Sequence, residues 1–162
     1  MISIRQLSRR VNQTVEWGLA GVGLVMVVVV AAQVFCRYVL NHSLFWSEEL
    51  ARYLLVWLTF LGATVAYHRR AHPSIDMLQT RVAPSVAHAM TITGYIVALL
   101  FFGVLTVYGF KFAHFVRAQI SPALQIPKWT VLVVLPLSGG ILCLHTWALL
   151  LEALRHGRPL DG

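Results

Sequence analysis

Charge is scarce in this chain. Asp, Glu, Lys and Arg account for 12% of its 162 residues, about half of what an ordinary soluble domain carries. With 58% hydrophobic residues and a mean hydropathy of +0.72, there is too little polar surface to meet water on all sides, which excludes a soluble domain. Cysteine is scarcer still. Cys36 and Cys143 are the only two, and both read as lipid-depth or packed thiols, not as a disulfide. The sequence also lacks H-E-x-x-H, G-x-S-x-G and any glycine-rich phosphate loop, so no enzyme is expected. No internal repeat, low-complexity tract or long linker divides it, and residues 1–162 are expected to form a single membrane domain.

Long uncharged runs fill the space that charge leaves. Trp17–Cys36, Tyr53–His68, Val82–Phe110 and Trp129–Leu151 contain no Asp, Glu, Lys or Arg over 20, 16, 29 and 23 residues. Each is close to the length that crosses a hydrocarbon core of about 30 Å as a helix. The expected fold is an all-α integral membrane protein, one bundle of four transmembrane helices over roughly 17–40, 48–67, 86–114 and 129–153. A cleaved secretory signal fits the first run poorly: the run is long, no small-x-small site follows it, and Phe35 before Cys36 is bulky.

The net charge of +7 would suit nucleic acid, but the cations lie between the apolar runs. Arg5, Arg9 and Arg10 precede the first, Arg69, Arg70 and Arg81 separate the second from the third, and Arg155 and Arg158 follow the fourth. The other gaps hold only Arg117 and Lys128, with Arg37, Arg52 and Lys111 at helix borders. Basic residues of short loops stay cytoplasmic, so both termini are expected inside. Between the second and third spans, Ile75, Leu78 and Val82 share one side of a segment over about 74–83. That spacing predicts either a short amphipathic interfacial helix, with Arg69, Arg70 and Arg81 on lipid headgroups, or a solvated extension of the third span bent before Pro84.

Local signals refine the spans. Ser47 is expected to cap the second helix, with Glu48 and Glu49 beside its positive dipole end. The third span, if helical from Ser85 to Phe115, would measure about 46 Å and should tilt or project. Pro136, followed by Ser138, Gly139 and Gly140, predicts a kink and a close packing site in the fourth. Arg37, Glu48, Glu49 and Arg52 form either an interfacial anchor or a polar knot fixing helices one and two against each other or a partner. Trp17, Trp46 and Trp129 mark span ends, whereas Trp57 and Trp147 lie inside spans.

A pump or ion-coupled carrier needs ionisable groups at mid-membrane, and the four runs carry none apart from histidine. Of seven histidines, His145 lies well inside a span and His88 near the inner end of another, so a haem-binding membrane anchor of a respiratory enzyme would have to use that pair at mismatched depths. A small self-sufficient exporter is the other rival. A bundle without conduit or cofactor constellation reads most simply as a scaffold.

Phe45-Trp46-Ser47-Glu48-Glu49-Leu50-Ala51-Arg52-Tyr53, then Val56-Trp57-Leu58-Thr59-Phe60-Leu61-Gly62-Ala63 and His72-Pro73-Ser74-Ile75-Asp76, resemble the signature of the small membrane subunit of TRAP transporters, the DctQ family. Ser121-Pro122-Ala123-Leu124-Gln125-Ile126-Pro127-Lys128-Trp129, with Pro136 and Gly139 beyond and Arg37-Tyr38 before, resemble its other blocks. The similarity covers about Phe35 to Gly140, and Pro73 departs from it, since the family more often has an aliphatic residue there. The resemblance implies a stationary small subunit in the bacterial inner membrane. It would support a large elevator-type subunit in sodium-coupled uptake of an organic acid delivered by a periplasmic binding protein. It implies no catalytic, substrate or metal site and no cofactor here. Arg37, Glu48, Glu49, Arg52, Trp57, Gly62, Pro136 and Gly139 would contact the large subunit or orient the helices that do, and Arg117 and Lys128 would meet the binding protein.

Overall fold

The computed structural model describes residues 4–69 and 84–156, and every described element is helical apart from one isolated antiparallel bridge between Ile120 and Pro127. In chain order these are α1 (Ile4–Tyr38), α2 (Phe45–His68), α3 (Pro84–Phe115), the four-residue α4 (Trp129–Leu132) and α5 (Val134–His156). Four helical stretches, with α4 and α5 together as one, are long and apolar enough to cross a membrane. The chain is a multi-pass membrane protein. The segment expected over 74–83 falls outside the described residues, as do Arg70 and Arg81.

Three boundaries differ from the sequence expectation. Helix α1 begins at Ile4, not near Trp17, because Ser8, Asn12 and Glu16 recur every fourth residue and give its polar first turns a packing face of their own. Helix α2 begins at Phe45, so Ser47 does not cap it. Ser47 is instead fully buried in the first turn, where its hydroxyl donates to the Leu44 carbonyl at 2.7 Å. The fourth span does break, but at Val133, between α4 and α5. Pro136 lacks the N–H that would reach the carbonyl four residues back, and its ring crowds that carbonyl, so the break falls on the turn before the proline.

The connection from α1 to α2 turns at Asn41, whose φ of 51° is left-handed, a region asparagine tolerates better than most residues. His42 N–H closes this turn onto the Cys36 carbonyl at 3.0 Å. We call the end holding Tyr38, Phe45, Phe115 and Trp129 the top, and the end holding Ile4, His68, Pro84 and His156 the base.

The long helices do not close into the expected bundle. Helix α1 packs along α2, α2 along α5, and α5 along α3 in the most extensive contact of the fold, whereas α1 and α3 share no comparable packing. The order α1–α2–α5–α3 is therefore a row, bent enough that α1 also reaches α5 directly, with α1 and α3 at its two open edges. Backbone proximity builds the α3–α5 contact. A methyl group placed on Gly139 would lie 2.5 Å from Thr106 Oγ1 and 3.1 Å from its backbone nitrogen, and one on Gly109 would lie 3.0 Å from the Pro136 nitrogen. The kinked packing site read from Pro136 and Gly139 is thus an internal seam against α3.

Burial follows the logic of a lipid solvent. The buried set mixes small apolar side chains such as Ala87, Ala113, Val131 and Val134 with Ser47, Thr64, Ser121, Ser138, His145 and Thr146. Most buried hydroxyls are satisfied by their own helix: Thr64 on Leu61, Ser138 on Val134 and Thr146 on Leu142, at 2.7, 2.7 and 2.8 Å. Such groups cost little when the backbone accepts them, and their small size lets helices approach. The large apolar residues point the other way. Leu24, Val27 and Val28 on α1 and Val97, Leu100 and Phe101 on α3 are exposed along the two edges, where lipid or another membrane protein must cover them.

Candidate functional site

Charge and polarity gather at the two ends of the row. At the top, the first turn of α2 carries Glu48 and Glu49 on different faces. Glu48 Oε1 accepts from Gln33 Nε2 of α1 at 3.3 Å, a bond between α1 and α2 through a residue outside the group Arg37, Glu48, Glu49 and Arg52. Glu49 reaches the other way. Its Oε2 accepts the backbone N–H groups of Ala123 and Leu124 at 2.8 and 3.0 Å, and its Oε1 accepts the Tyr53 hydroxyl. One carboxylate thereby holds the connection between α3 and α4 to the start of α2.

That connection has its own shape. Ser121 N–H donates to the Ile126 carbonyl at 2.9 Å, Lys128 N–H to the Gln119 carbonyl at 2.8 Å, and Gln125 sits at a left-handed φ of 55°. Ser121 is buried and its Oγ accepts Ile126 N–H at 3.3 Å. The result is a small hairpin whose turn, Pro122 to Gln125, presents two adjacent amides to Glu49. Charge-assisted bonds of this kind are the stronger class of hydrogen bond.

The remaining top residues are placed as follows. Arg37, Arg52 and Arg117 are exposed, while Lys128 is half-buried and donates from Nζ to Gln119 Oε1 at 3.4 Å. Lys111 lies over the Tyr108 ring, 5.3 Å from its centroid. Trp57 is half-buried on α2. Gly62 is half-buried and has nothing within 4 Å of where a Cβ would stand. Pro136 and Gly139 are engaged with α3, as described above.

At the base a second polar cluster joins three helices. Ser8 Oγ of α1 lies 2.7 Å from His145 Nδ1 of α5 and 3.4 Å from His68 Nδ1 of α2, and the two imidazole rings are 4.6 Å apart between centroids. One turn further along α1, Asn12 Nδ2 donates to Glu16 Oε1 at 2.8 Å, and Glu16 receives Arg69 Nε and Nη2 at 3.1 and 2.8 Å. Arg5 pairs with Glu152 of α5 at 3.0 Å. Thr146 Oγ1 bonds the Tyr67 hydroxyl at 3.0 Å, and Tyr67 meets the edge of Phe102 of α3 with centroids 5.3 Å apart. Arg69, expected at lipid headgroups, is thus held by Glu16 while its side chain stays 64% exposed. Sequence reasoning missed this cluster, although the four-residue spacing of Ser8, Asn12 and Glu16 signals it.

The haem arrangement fails on register. Gly109 meets Pro136 and Thr106 meets Gly139 across the antiparallel α3–α5 seam. Continued toward the base, that register sets His88 opposite a point just beyond His156, so His88 and His145 stand about 18 Å apart along the helices at 1.5 Å per residue. One iron cannot bind both.

The family described as tripartite ATP-independent periplasmic transporters, DctQ component, matches residues 26–156. The chain belongs to that family. Among relatives, the C4-dicarboxylate TRAP transporter small permease protein DctQ of Rhodobacter capsulatus is 29% identical over 103 residues, covering 62% of this chain and 45% of that protein. The sialic acid TRAP transporter small permease protein SiaQ of Vibrio cholerae is 24% identical over 113 residues, 70% of this chain and 65% of that one. The sialic acid TRAP transporter permease protein SiaT of Haemophilus influenzae is 34% identical over 105 residues, 65% of this chain but 16% of the longer protein. The chain spans about half the length of the first small permease relatives it matches.

Proposed function

We propose that this DctQ-family chain is a stationary brace in the bacterial inner membrane, supporting a large elevator-type subunit. That subunit takes up an organic acid, coupled to sodium, from a periplasmic binding protein. One observation carries the reading: the charged side chains of the described residues gather at the two ends of the row, and the edges between them present large apolar side chains to their surroundings. A path for an ion or a carboxylate needs polar groups at mid-depth, whereas a brace needs rigid rods that stay in lipid. The long SiaT relative, of which this chain matches 16%, supports a large membrane partner. The base faces the cytoplasm, in keeping with its basic residues.

The large subunit meets the outward side of α2. There Arg52, Leu55, Thr59 and Ala63 are exposed in one stripe, and the charged Arg52, polar Thr59 and small Ala63 suit a protein neighbour better than the Val and Phe of the open edges do. Arg37, Trp57 and Gly62 flank that stripe. Glu48, Glu49, Pro136 and Gly139 act inside the chain by orienting its helices. Arg117 and Lys128 offer positive charge beside the clasped hairpin to the binding protein. Arg69, with Arg70 and Arg81, meets anionic headgroups. Affinity purification of the tagged full chain from its own membranes tests the reading: a large multi-span companion should copurify and be lost with Arg52→Glu combined with Ala63→Trp. Purification of the chain alone under mild detergent, with uptake intact in a strain lacking it, would overturn it.

A further inference from the structure

The outer edge of α1 carries an arrangement that the proposed partner stripe on α2 does not use. Ser8, Asn12 and Glu16 turn one side of its first turns toward α2 and α5. On the opposite side Arg10, Trp17, Leu24, Val28 and Phe35 follow at intervals of seven or four residues, which sets them in one stripe. All five are exposed, Trp17 by 75%. From the base upward the stripe runs from guanidinium through indole to hydrocarbon, the order of surroundings from phosphate to acyl chain in one leaflet. Arg9 stands beside Arg10 and is exposed as well. The carboxylates of the described base are both taken, Glu152 by Arg5 at 3.0 Å and Glu16 by Arg69 at 2.8 Å. No hydrogen bond or ion pair engages the guanidinium of Arg9 or Arg10 among the described residues.

We propose that the base of this α1 edge, Arg9 and Arg10 beneath Trp17, is a binding surface for an anionic phospholipid, whose phosphate meets the two guanidinium groups while its acyl chains lie along Leu24 and Val28. Depth agrees with this. Trp17 opens the first uncharged run, and Arg10 lies about 10 Å below it along the helix at 1.5 Å per residue. The headgroup layer adds about 5–8 Å on each side of the hydrocarbon, and a long arginine stem covers the remainder. Charge selects the occupant. A zwitterionic headgroup brings its own cation to its phosphate, whereas an anionic one leaves a net negative charge for Arg9 and Arg10. The planar guanidinium fork also matches phosphate oxygens in pairs. The inference needs only that the chain spans a membrane, and it stands whether or not the brace reading holds.

Quenching of Trp17 by brominated lipid tests it, with the full chain in phosphatidylcholine vesicles that hold a minor fraction of either brominated phosphatidylglycerol or brominated phosphatidylcholine. The Trp17 signal is the difference between the chain and its Trp17→Phe variant. Relative affinity at Trp17 should favour phosphatidylglycerol by about fivefold, the effect of one basic residue near an anionic surface, and should shrink in high salt. It should fall to near one when Arg9→Gln is combined with Arg10→Gln. Because the two lipids are compared within each variant, a shift in the depth of Trp17 cancels. Lys111→Gln with Arg117→Gln, which removes as many charges from the top, should leave the preference intact. Equal quenching by the two lipids in the unaltered chain would overturn the surface. So would a preference that survives the loss of Arg9 and Arg10, or one abolished equally by the Lys111 and Arg117 substitutions, which marks net charge alone.

Discussion

Two adjacent glycines of α5 allow a sharp test of the packing that sets the row. Gly139 faces the α3 backbone and Gly140 faces open space. Alanine is the better helix former by about 1 kcal/mol, so on propensity alone both substitutions would stabilise. At Gly140 nothing opposes that gain, and Gly140→Ala should be neutral or stabilising by up to about 1 kcal/mol. At Gly139 the new methyl would stand 2.5 Å from Thr106 Oγ1 and 3.1 and 3.2 Å from the Thr106 nitrogen and Cα. The hydroxyl could rotate off its 2.7 Å bond to the Phe102 carbonyl, but the backbone atoms cannot, so α3 and α5 must separate. Overpacking of this kind costs about 1–3 kcal/mol, which outweighs or cancels the propensity gain. Reversible unfolding of the two variants, in mixed micelles and followed by tryptophan fluorescence, should therefore separate them by about 1–3 kcal/mol, Gly139→Ala being the weaker. Thr106→Ser should not rescue Gly139→Ala, because the backbone contacts persist. Equal stability of Gly139→Ala and Gly140→Ala would refute the seam.

Further outcomes follow from the same geometry. Glu49→Ala should free the Ala123 and Leu124 amides, read as faster exchange and faster proteolysis in the 117–128 hairpin, with Glu49→Gln intermediate because it keeps acceptor oxygen but loses charge. Pro136→Ala should restore helical hydrogen bonding across Val133, seen as slower exchange there; unchanged exchange would mean the break has another cause. Charge reversal at Arg117 and Lys128 should weaken binding-protein docking and steepen nothing else; unchanged docking at low salt counts against that surface. Glu16→Gln should cost little stability, as exposed ion pairs do, and should leave the α3–α5 seam untouched.

The number of spans, their rough positions and the family resemblance were legible because each rests on a property visible along the chain: length of apolar run, placement of charge, and short blocks of characteristic residues. The Pro136–Gly139 packing site was legible for the same reason, since a proline and small residues act on their own helix first. The row was not legible. Four apolar rods give the same pattern whether they close or lie side by side, and the deciding contacts, Thr106 on Gly139 and Gly109 on Pro136, join positions 33 and 27 apart that no periodicity links. Glu49 illustrates a different limit. Its place in α2 was readable, but its partners are backbone amides 74 and 75 residues away, and backbone leaves no mark in composition. The base cluster lay closer to view. Ser8, Asn12 and Glu16 repeat with a helical spacing, yet the apolar run beginning at Trp17 drew the helix boundary past them.

Flux through the purified chain is the most direct test of the proposed brace. Proteoliposomes containing this subunit alone, given a sodium gradient, binding protein and a panel of radiolabelled organic acids, should show uptake no higher than empty vesicles, with uptake restored on adding the large subunit. Saturable, sodium-dependent uptake by the subunit alone would contradict the account.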